Sequence, residues 1–337
     1  MATFCKRGKR WLARVRRDGQ ETSKTFPTKI EAQAWASIIE SELVRGVYQD
    51  RSEAERVSLA DLIDQYLVKI TPTKKGEASE RNRLLAMRRH PIAALKVAAI
   101  SGMVMVRYRD ERLKTVKPDT INRELSLLHH VFEVARKEWG VGIPVNPLSM
   151  VRRPRNAPGR ERRLLPGEET RLLAALEVIE RRADGTLADG ARNIWLGPLV
   201  EFALETAMRR GEMLALIWRD IDLEKRTAKV RDSKNGSPRL VPLSSRAVAI
   251  LRSLPRSIGG AVFNTTADAV KKGFVRACRR AEIEGLRFHD LRHEAASRLF
   301  ERGLSIMEVP LLTGHKDLRM LKRYTHIQVA EVARKLG

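Results

Sequence analysis

The segment RFHDLRHEAASRLF, residues 287–300, sets polar residues into text that otherwise reads as an amphipathic helix. His289 and Arg292 stand three apart, which puts both on one helix face. Two further segments share this property. LETAMRRGEMLALIW, residues 204–218, places Arg209 and Arg210 directly after an apolar helix predicted over Trp195–Ala207, with Glu212 three residues beyond Arg209. GHKDLRMLKRYTH, residues 314–326, holds His315 and Tyr324 nine residues apart. Tyr324 is one of only four tyrosines and stands between Arg323 and the pair Thr325-His326. Those neighbours suit a negatively charged target better than a core. The one clear sheet signal in this region is TAKVRDSKNGSPRLVPL, residues 227–243, where short β-rich runs flank Asn235-Gly236 and Lys234 sits beside the turn. From Leu164 to the last residue the chain is therefore expected to be mainly helical with one small sheet.

Working outward, residues 57–150 read almost entirely as helix. Ser58 caps a segment carrying Leu59, Leu62, Ile63, Tyr66, Leu67 and Ile70 at helical spacing, and Thr120 opens another with Ile121, Leu125, Leu128, Phe132 and Ala135 on one face. His129 and His130 on that helix read as surface or packing residues. Between the two regions lies RRPRNAPGRERR, residues 152–163, with six arginines in twelve positions. Its prolines and glycine block regular structure, so it reads as a cationic strap following a phosphate backbone. At the N-terminus, WLARVRRDGQETSKTF alternates around Asp18-Gly19 as a hairpin should. Thr28 and Glu31 then have capping-box spacing and open a helix carrying Ile30, Ala34, Ile38 and Leu43 and ending at Gly46. Residues 1–17 hold seven Lys or Arg and no acid. The expected organisation is an N-terminal DNA-binding module at 1–50, a helical domain at 57–150, a basic linker at 151–163 and a catalytic domain at 164–337. The fold class is mainly α with small β-sheets.

The 337 residues carry a formal net charge of +24, which points to a polyanionic partner. Two cysteines are too few for a disulfide frame or a cysteine-based zinc site. The apolar run VAAISGMVMV, residues 97–106, is about half the length of a membrane span. The N-terminus lacks a hydrophobic signal region, so an intracellular location on nucleic acid is expected.

A phosphodiester attacked without metal needs cations around its non-bridging oxygens, a nucleophile and a proton donor for the leaving oxygen. Paired guanidiniums suit the first task because their planar forks bind phosphate bidentately. A tyrosine hydroxyl can be the nucleophile if cations or a base help remove its proton. Lys or His can protonate the leaving group. Arg209, Arg292, Tyr324, Lys234 and the histidines supply each part.

TAMRRGE, SKNG, HDLRH and a Gly-His followed nine residues later by Tyr resemble the signature of the tyrosine recombinases, the phage-integrase family. The resemblance covers residues 160–337 in order and spacing, and more loosely the helical domain before them. ALETAMRRGEMLAL, HDLRHEAASR and MLKRYTH look most like the shufflon-type DNA invertases within that family. The N-terminus looks instead like the arm-type DNA-binding module of phage and genomic-island integrases. This resemblance implies a site-specific recombinase that cleaves and rejoins DNA through a 3′-phosphotyrosine intermediate, without ATP, metal or other cofactor, integrating and excising a phage or genomic island. Tyr324 would attack, Arg209 and Arg292 would clamp the phosphate, and Glu212 would support Arg209. Lys234 would protonate the 5′-oxygen, His289 would assist proton removal, and His315 would hydrogen-bond the phosphate. Lys6, Arg7, Lys9, Arg10, Arg14, Arg16, Arg152, Arg153 and Arg155 are the candidate DNA contacts. The implied partners are double-stranded DNA sites, a homotetramer on two synapsed sites, and helper proteins that bend DNA or set direction. The implied setting is a bacterial cytoplasm, on the nucleoid.

The chain departs from the family pattern at two places. Thr206-Ala207 replaces the usual Thr-Gly, and Thr313-Gly314-His315 replaces Leu-Gly-His; both changes are expected to touch packing rather than chemistry. Pro310 predicts a shorter turn before that histidine. As a hypothesis, the tail with Ile327, Val329, Val332 and Leu336 docks on a neighbouring subunit. Three alternatives stay open: a shufflon-type invertase, a metal-dependent nuclease using the i, i+4 pair His289 and His293 with Asp290 and Glu294, and a non-catalytic DNA-binding regulator.

Overall fold

The computed structural model describes residues 1–17, 19–178, 192–231, 238–256 and 259–324. Lys234, the Asn235-Gly236 turn and the tail beyond Tyr324 lie outside the described residues. The chain forms two compact units, Met1–Pro158 and Gly159–Gly337. It is mainly α, with one three-stranded antiparallel sheet in each unit.

The first unit opens with β1 (Ala2–Arg7), β2 (Arg10–Arg17) and β3 (Gln20–Phe26), followed by α1 (Lys29–Val44). The expected hairpin is β2–β3; β1 adds a third strand in the register Arg7↔Arg10 and Thr3↔Arg14. Alternation along β2 turns Ala13 and Val15 inward, both fully buried. Thr28 caps α1 with both bonds of the capping box, Glu31 supplying the return bond. The apolar face of α1 differs from the expected one. Ala32, Ala36 and Ile39 face the sheet, whereas Ile30 and Ile38 are 78% and 60% exposed. Small alanines let the helix lie close to the strands, a surface that counting large apolar residues does not reveal.

Five more helices follow: α2 (Ser52–Arg56), α3 (Leu59–Lys69), α4 (Glu77–Arg88), α5 (Gly102–Leu113) and α6 (Pro118–Lys137). Ser58 caps α3 through a capping box with Asp61, and Leu59, Leu62, Ile63, Tyr66 and Leu67 are all buried. α6 starts two residues before Thr120, at Pro118, where the missing N–H costs nothing in the first turn. Its buried Glu124 accepts from Tyr108 at 2.8 Å and from Arg112 at 2.6 and 3.0 Å. His130 proves to be a packing residue, receiving the Tyr66 hydroxyl at 2.6 Å.

The second unit contains α7 (Glu168–Ala174), α8 (Leu196–Thr206), α9 (Arg210–Leu214), β4 (Ile221–Asp222), β5 (Thr227–Val230), β6 (Arg239–Pro242), α10 (Ser245–Ser253), α11 (Ala267–Arg280), α12 (Asp290–Glu301) and α13 (Val309–Thr313). β4–β5–β6 is the expected small sheet, with Thr227 opposite Pro242 and Val230 opposite Arg239. One apolar core runs from Leu172 to Tyr324 and includes Phe202, Phe263, Phe274 and Leu291. α13 is a five-residue helix with Pro310 in its first turn, as the proline predicts.

The arginine strap is not a uniform cationic ribbon. Arg160 pairs with Asp290 at 2.9 Å, Arg162 with Glu168 at 2.5 Å, and Arg163 with Glu294 at 3.0 Å and Glu301 at 2.5 Å. These three side chains are bound to the second unit's own carboxylates. In the first unit, Arg153 donates to the Asn122 carbonyl at 3.0 Å and to Ser126 Oγ at 2.6 Å, and Arg109 donates to the Arg152 carbonyl. No helix among the described residues is long and apolar enough to cross a membrane.

Candidate active site

α8 ends on Ala207, whose φ of 51° is left-handed, and this turn carries the chain into α9. Arg209 sits extended at the start of α9. The Glu212 carboxylate accepts the Arg209 backbone N–H at 3.1 Å and Arg209 Nη1 at 2.8 Å. It also accepts both Nη atoms of Arg239, from β6, at 3.2 and 2.7 Å. Burial works against a charge on Glu212, but the hydrogen bonds from Arg239 and Arg209 outweigh it and hold the carboxyl below its usual range. Arg239 donates as well to the Leu312 carbonyl at 3.3 Å, which ties β6 to α13.

Arg292 on α12 is only 4% exposed. It donates to the Ala207 carbonyl at 2.5 Å and the Thr313 carbonyl at 2.6 Å, and Nη2 lies 3.3 Å from His315 Nε2. Burial, reinforced by nearby Arg209, pulls its pKa down to about 10, so it stays charged at neutral pH. α13 closes on Gly314, with φ of 67°. A Cβ there would lie 2.7 Å from the Arg239 guanidinium carbon, so the backbone conformation favours glycine and any side chain would push on Arg239.

Tyr324 is 7% exposed, and its hydroxyl is hydrogen-bonded to His293 Nδ1. The Arg323 guanidinium lies 5.7 Å from the centre of its ring. Burial raises the hydroxyl's pKa, and Arg323 and Arg292 oppose that rise. His293 and His315 are both pushed down to about 4, first by burial and then by the surrounding positive charge and imidazoles. His289, the residue preceding α12, is lowered for the same reasons, burial first and then Arg292. Its ring is 5.0 Å from that of His293.

The structure thus brings Arg209, Glu212, Arg292, His315 and Tyr324 together, with His289 one ring away. The residue on the Tyr324 hydroxyl is His293 rather than His289. Sequence reasoning noticed His293 only as a metal-pair spacing. The carboxylates that would complete such a pair are bound to arginines: Asp290 accepts from Arg160, and Glu294 from Arg163 and Arg298. No group of three or more His, Cys, Asp or Glu among the described residues is arranged to hold a metal. Arg239 was missed entirely, because its contact with Glu212 depends on strand register. Thr313 was assigned to packing; instead its hydroxyl oxygen is 2.9 Å from His315 Nδ1.

The DNA-contact candidates divide by strand register. Arg7, Arg10, Arg14 and Arg16 share the face of the N-terminal sheet turned away from α1, while Lys6 pairs with Trp11 on the other face and Lys9 occupies the β1–β2 turn. Arg14 is also paired with Glu21 at 3.2 Å. Arg152, Arg153 and Arg155 are exposed on the last residues of the first unit.

Comparison with known proteins places the whole chain, rather than its individual side chains. The phage integrase family profile matches residues 163–331, and the chain belongs to that family. It is 40% identical to the shufflon-specific DNA recombinase of Escherichia coli, over 83% of this chain and 72% of that protein. It is 29% identical to the tyrosine recombinase XerC of Xanthomonas campestris, over 72% and 73% of the two chains. The fold is that of lambda integrase, solved as a tetramer bound to a Holliday junction, with a TM-score of 0.65, 22% identity, and coverage of 94% of this chain and 92% of that one.

Proposed function

We propose that the chain is a site-specific DNA recombinase in which Tyr324 attacks the scissile phosphate and forms a 3′-phosphotyrosine link. The observation that carries this reading is the gathering of Arg209, Glu212, Arg239, Arg292 and His315 through linked contacts, with His293 and Tyr324 bonded to each other and the Tyr324 ring 6.5 Å from that of His315. Arg209 and Arg292 neutralise the non-bridging oxygens, and Glu212 holds Arg209 in place. The tyrosine proton leaves towards the His289–His293 pair, the tyrosine oxygen bonds to phosphorus, and the P–O5′ bond breaks. Lys234, on the segment between β5 and β6, protonates the 5′-oxygen. Religation reverses these steps, so neither ATP nor metal is consumed.

In this reading residues 1–50 bind arm-type DNA through the arginine face of the sheet, and residues 57–150 bind the core site. The working assembly is a homotetramer on two synapsed sites in the cytoplasm, with helper proteins for bending or direction. Integration and excision of a mobile element is the reading we favour for the whole chain, since the N-terminal module adds a second DNA contact. The 40% identity with a shufflon-specific recombinase supports inversion as the second reading.

The test is covalent trapping in EDTA on nicked duplexes tiled across the DNA flanking the gene. Wild type should give an SDS-resistant protein–DNA band and Tyr324→Phe none, with binding retained in both. Cleavage appearing only on adding Mg²⁺ would turn the reading to a nuclease, and tight binding without cleavage to a regulator. Once the site is found, plasmids with direct or inverted site pairs separate excision from inversion.

A further inference from the structure

Thr313 is fully buried and touches two of the site's side chains, Arg292 and His315, at once. Its backbone carbonyl accepts from Arg292 Nη2 at 2.6 Å, and its hydroxyl oxygen lies 2.9 Å from His315 Nδ1. The donors and acceptors can be assigned one after another. A guanidinium has only donors, so His315 Nε2, 3.3 Å from Arg292 Nη2, must present its lone pair there. In a neutral imidazole the proton is then on Nδ1, which donates to Thr313 Oγ1. The Thr313 hydroxyl proton is free to go to the Val309 carbonyl, 3.0 Å away and one turn back on α13. Every polar atom in this chain has one partner of the right kind. A leucine at this position would leave His315 Nδ1 without that acceptor.

We propose that Thr313 is a positioning residue that fixes the ring orientation and tautomer of His315, keeping the proton on Nδ1 and the Nε2 lone pair towards the site. The consequence for the reaction rests on the recombinase reading above. The charged and titratable groups facing His315 are Arg292 and His293 from α12, Arg209 before α9, Arg239 from β6 and the Tyr324 ring at 6.5 Å. While those cations face it alone, Nε2 stays unprotonated. A phosphate oxygen arriving among them needs a donor, and Nε2 gains one by taking a proton from solvent. Thr313 Oγ1 accepts from Nδ1–H in both protonation states, so the ring need not turn.

The test uses the full chain with Thr313→Val, which keeps the shape and removes the hydroxyl, and Thr313→Ser, which restores it. In the free protein, ring-nitrogen NMR shifts of His315, assigned by their loss in His315→Asn, should report the Nδ1–H tautomer for wild type and Thr313→Ser. Thr313→Val should move those shifts towards the other tautomer. In the trapping assay, Thr313→Val should slow covalent-complex formation by about tenfold or more, the scale on which losing a partner that orients a functional histidine acts, while DNA binding holds. Thr313→Ser should recover to within about threefold of wild type. Unchanged nitrogen shifts in Thr313→Val overturn the proposal, as does a serine variant that behaves like valine in either readout. Absence of a wild-type covalent band would count against the recombinase reading instead, and the nitrogen shifts would still decide the role of Thr313.

Discussion

Among the described residues Glu212 is the carboxylate that binds both Arg209 and Arg239, and it is 5% exposed. Removing a partner from a buried ion pair is among the costlier single changes. Arg239→Ala leaves Glu212 with Arg209 alone and breaks the tie to Leu312. A loss of about 3 kcal/mol is expected, at the low end for a stripped buried pair, measured as a shift in urea unfolding. A change below about 0.5 kcal/mol, the size of an ordinary surface substitution, would mean that Arg239 holds nothing together. His293 allows a geometric test. Asn places its amide oxygen near the position of Nδ1, and Gln places it nearer Nε2. His293→Asn should therefore keep most of the cleavage rate, while His293→Gln should lose about 100-fold, at the low end for removing general acid–base help. Equal rates in the two variants would show that the Tyr324 contact does not guide the hydroxyl. The histidines also set a pH dependence. His293 and His315 titrate near 4 in the fold and near 6.5 when unfolded. Their neutral forms thus contribute stability that is fully present above pH about 6.5 and fades as pH falls towards 4. Melting temperature should drop across that window, and less steeply in His293→Asn. A flat profile would contradict the burial of both rings.

At the scale of elements, the strap shows how pairing decides what a charged segment does. Arg163 is shared between Glu294 and Glu301, and Glu294 also takes the Leu164 backbone N–H at 3.1 Å. Arg163→Gln should lower the melting temperature while leaving the salt dependence of DNA binding unchanged. A reduced salt slope would instead put Arg163 on a phosphate. The motifs themselves were legible because their chemistry depends on local spacing: Arg209 with Glu212, His289 with Arg292, and His315 nine residues before Tyr324. Capping boxes at Thr28 and Ser58 were legible for the same reason. What escaped was set by register and approach. β6 delivers Arg239 to Glu212 across the sheet, α12 delivers His293 to a tyrosine 31 residues away, and α1 packs through alanines. Thr313 escaped because its change from leucine reads as a packing change until the His315 ring is seen beside it. Ala207 tells the complementary story. A left-handed alanine costs about 1–2 kcal/mol. Its buried methyl returns about 0.8 kcal/mol. A small strain remains, and the carbonyl of the same residue still accepts from Arg292.

For the whole molecule, a net charge of +24 leads to the expectation that phosphate contact supplies most of the affinity for DNA, with the ion pairs deciding which cations are left for it. Many arginines are paired with carboxylates inside their own unit, whereas the outward face of the N-terminal sheet gathers Arg7, Arg10, Arg14 and Arg16, with Glu21 the acid across from Arg16. If that face follows a DNA backbone, replacing Arg7, Arg10 and Arg16 together with alanine should reduce the slope of log K against log salt by up to about 2.7, since each neutralised phosphate contributes about 0.9. The reduction should appear on long duplexes carrying DNA beyond the cleavage site. Covalent trapping on a short nicked duplex should be nearly unaffected, because Tyr324 and its arginines belong to the second unit, which has its own core. The two measurements separate the contributions: a lost slope with intact trapping places the N-terminal sheet on distant DNA. An unchanged slope would remove phosphate contact from that face, and the seven basic residues before Asp18 would then need another partner.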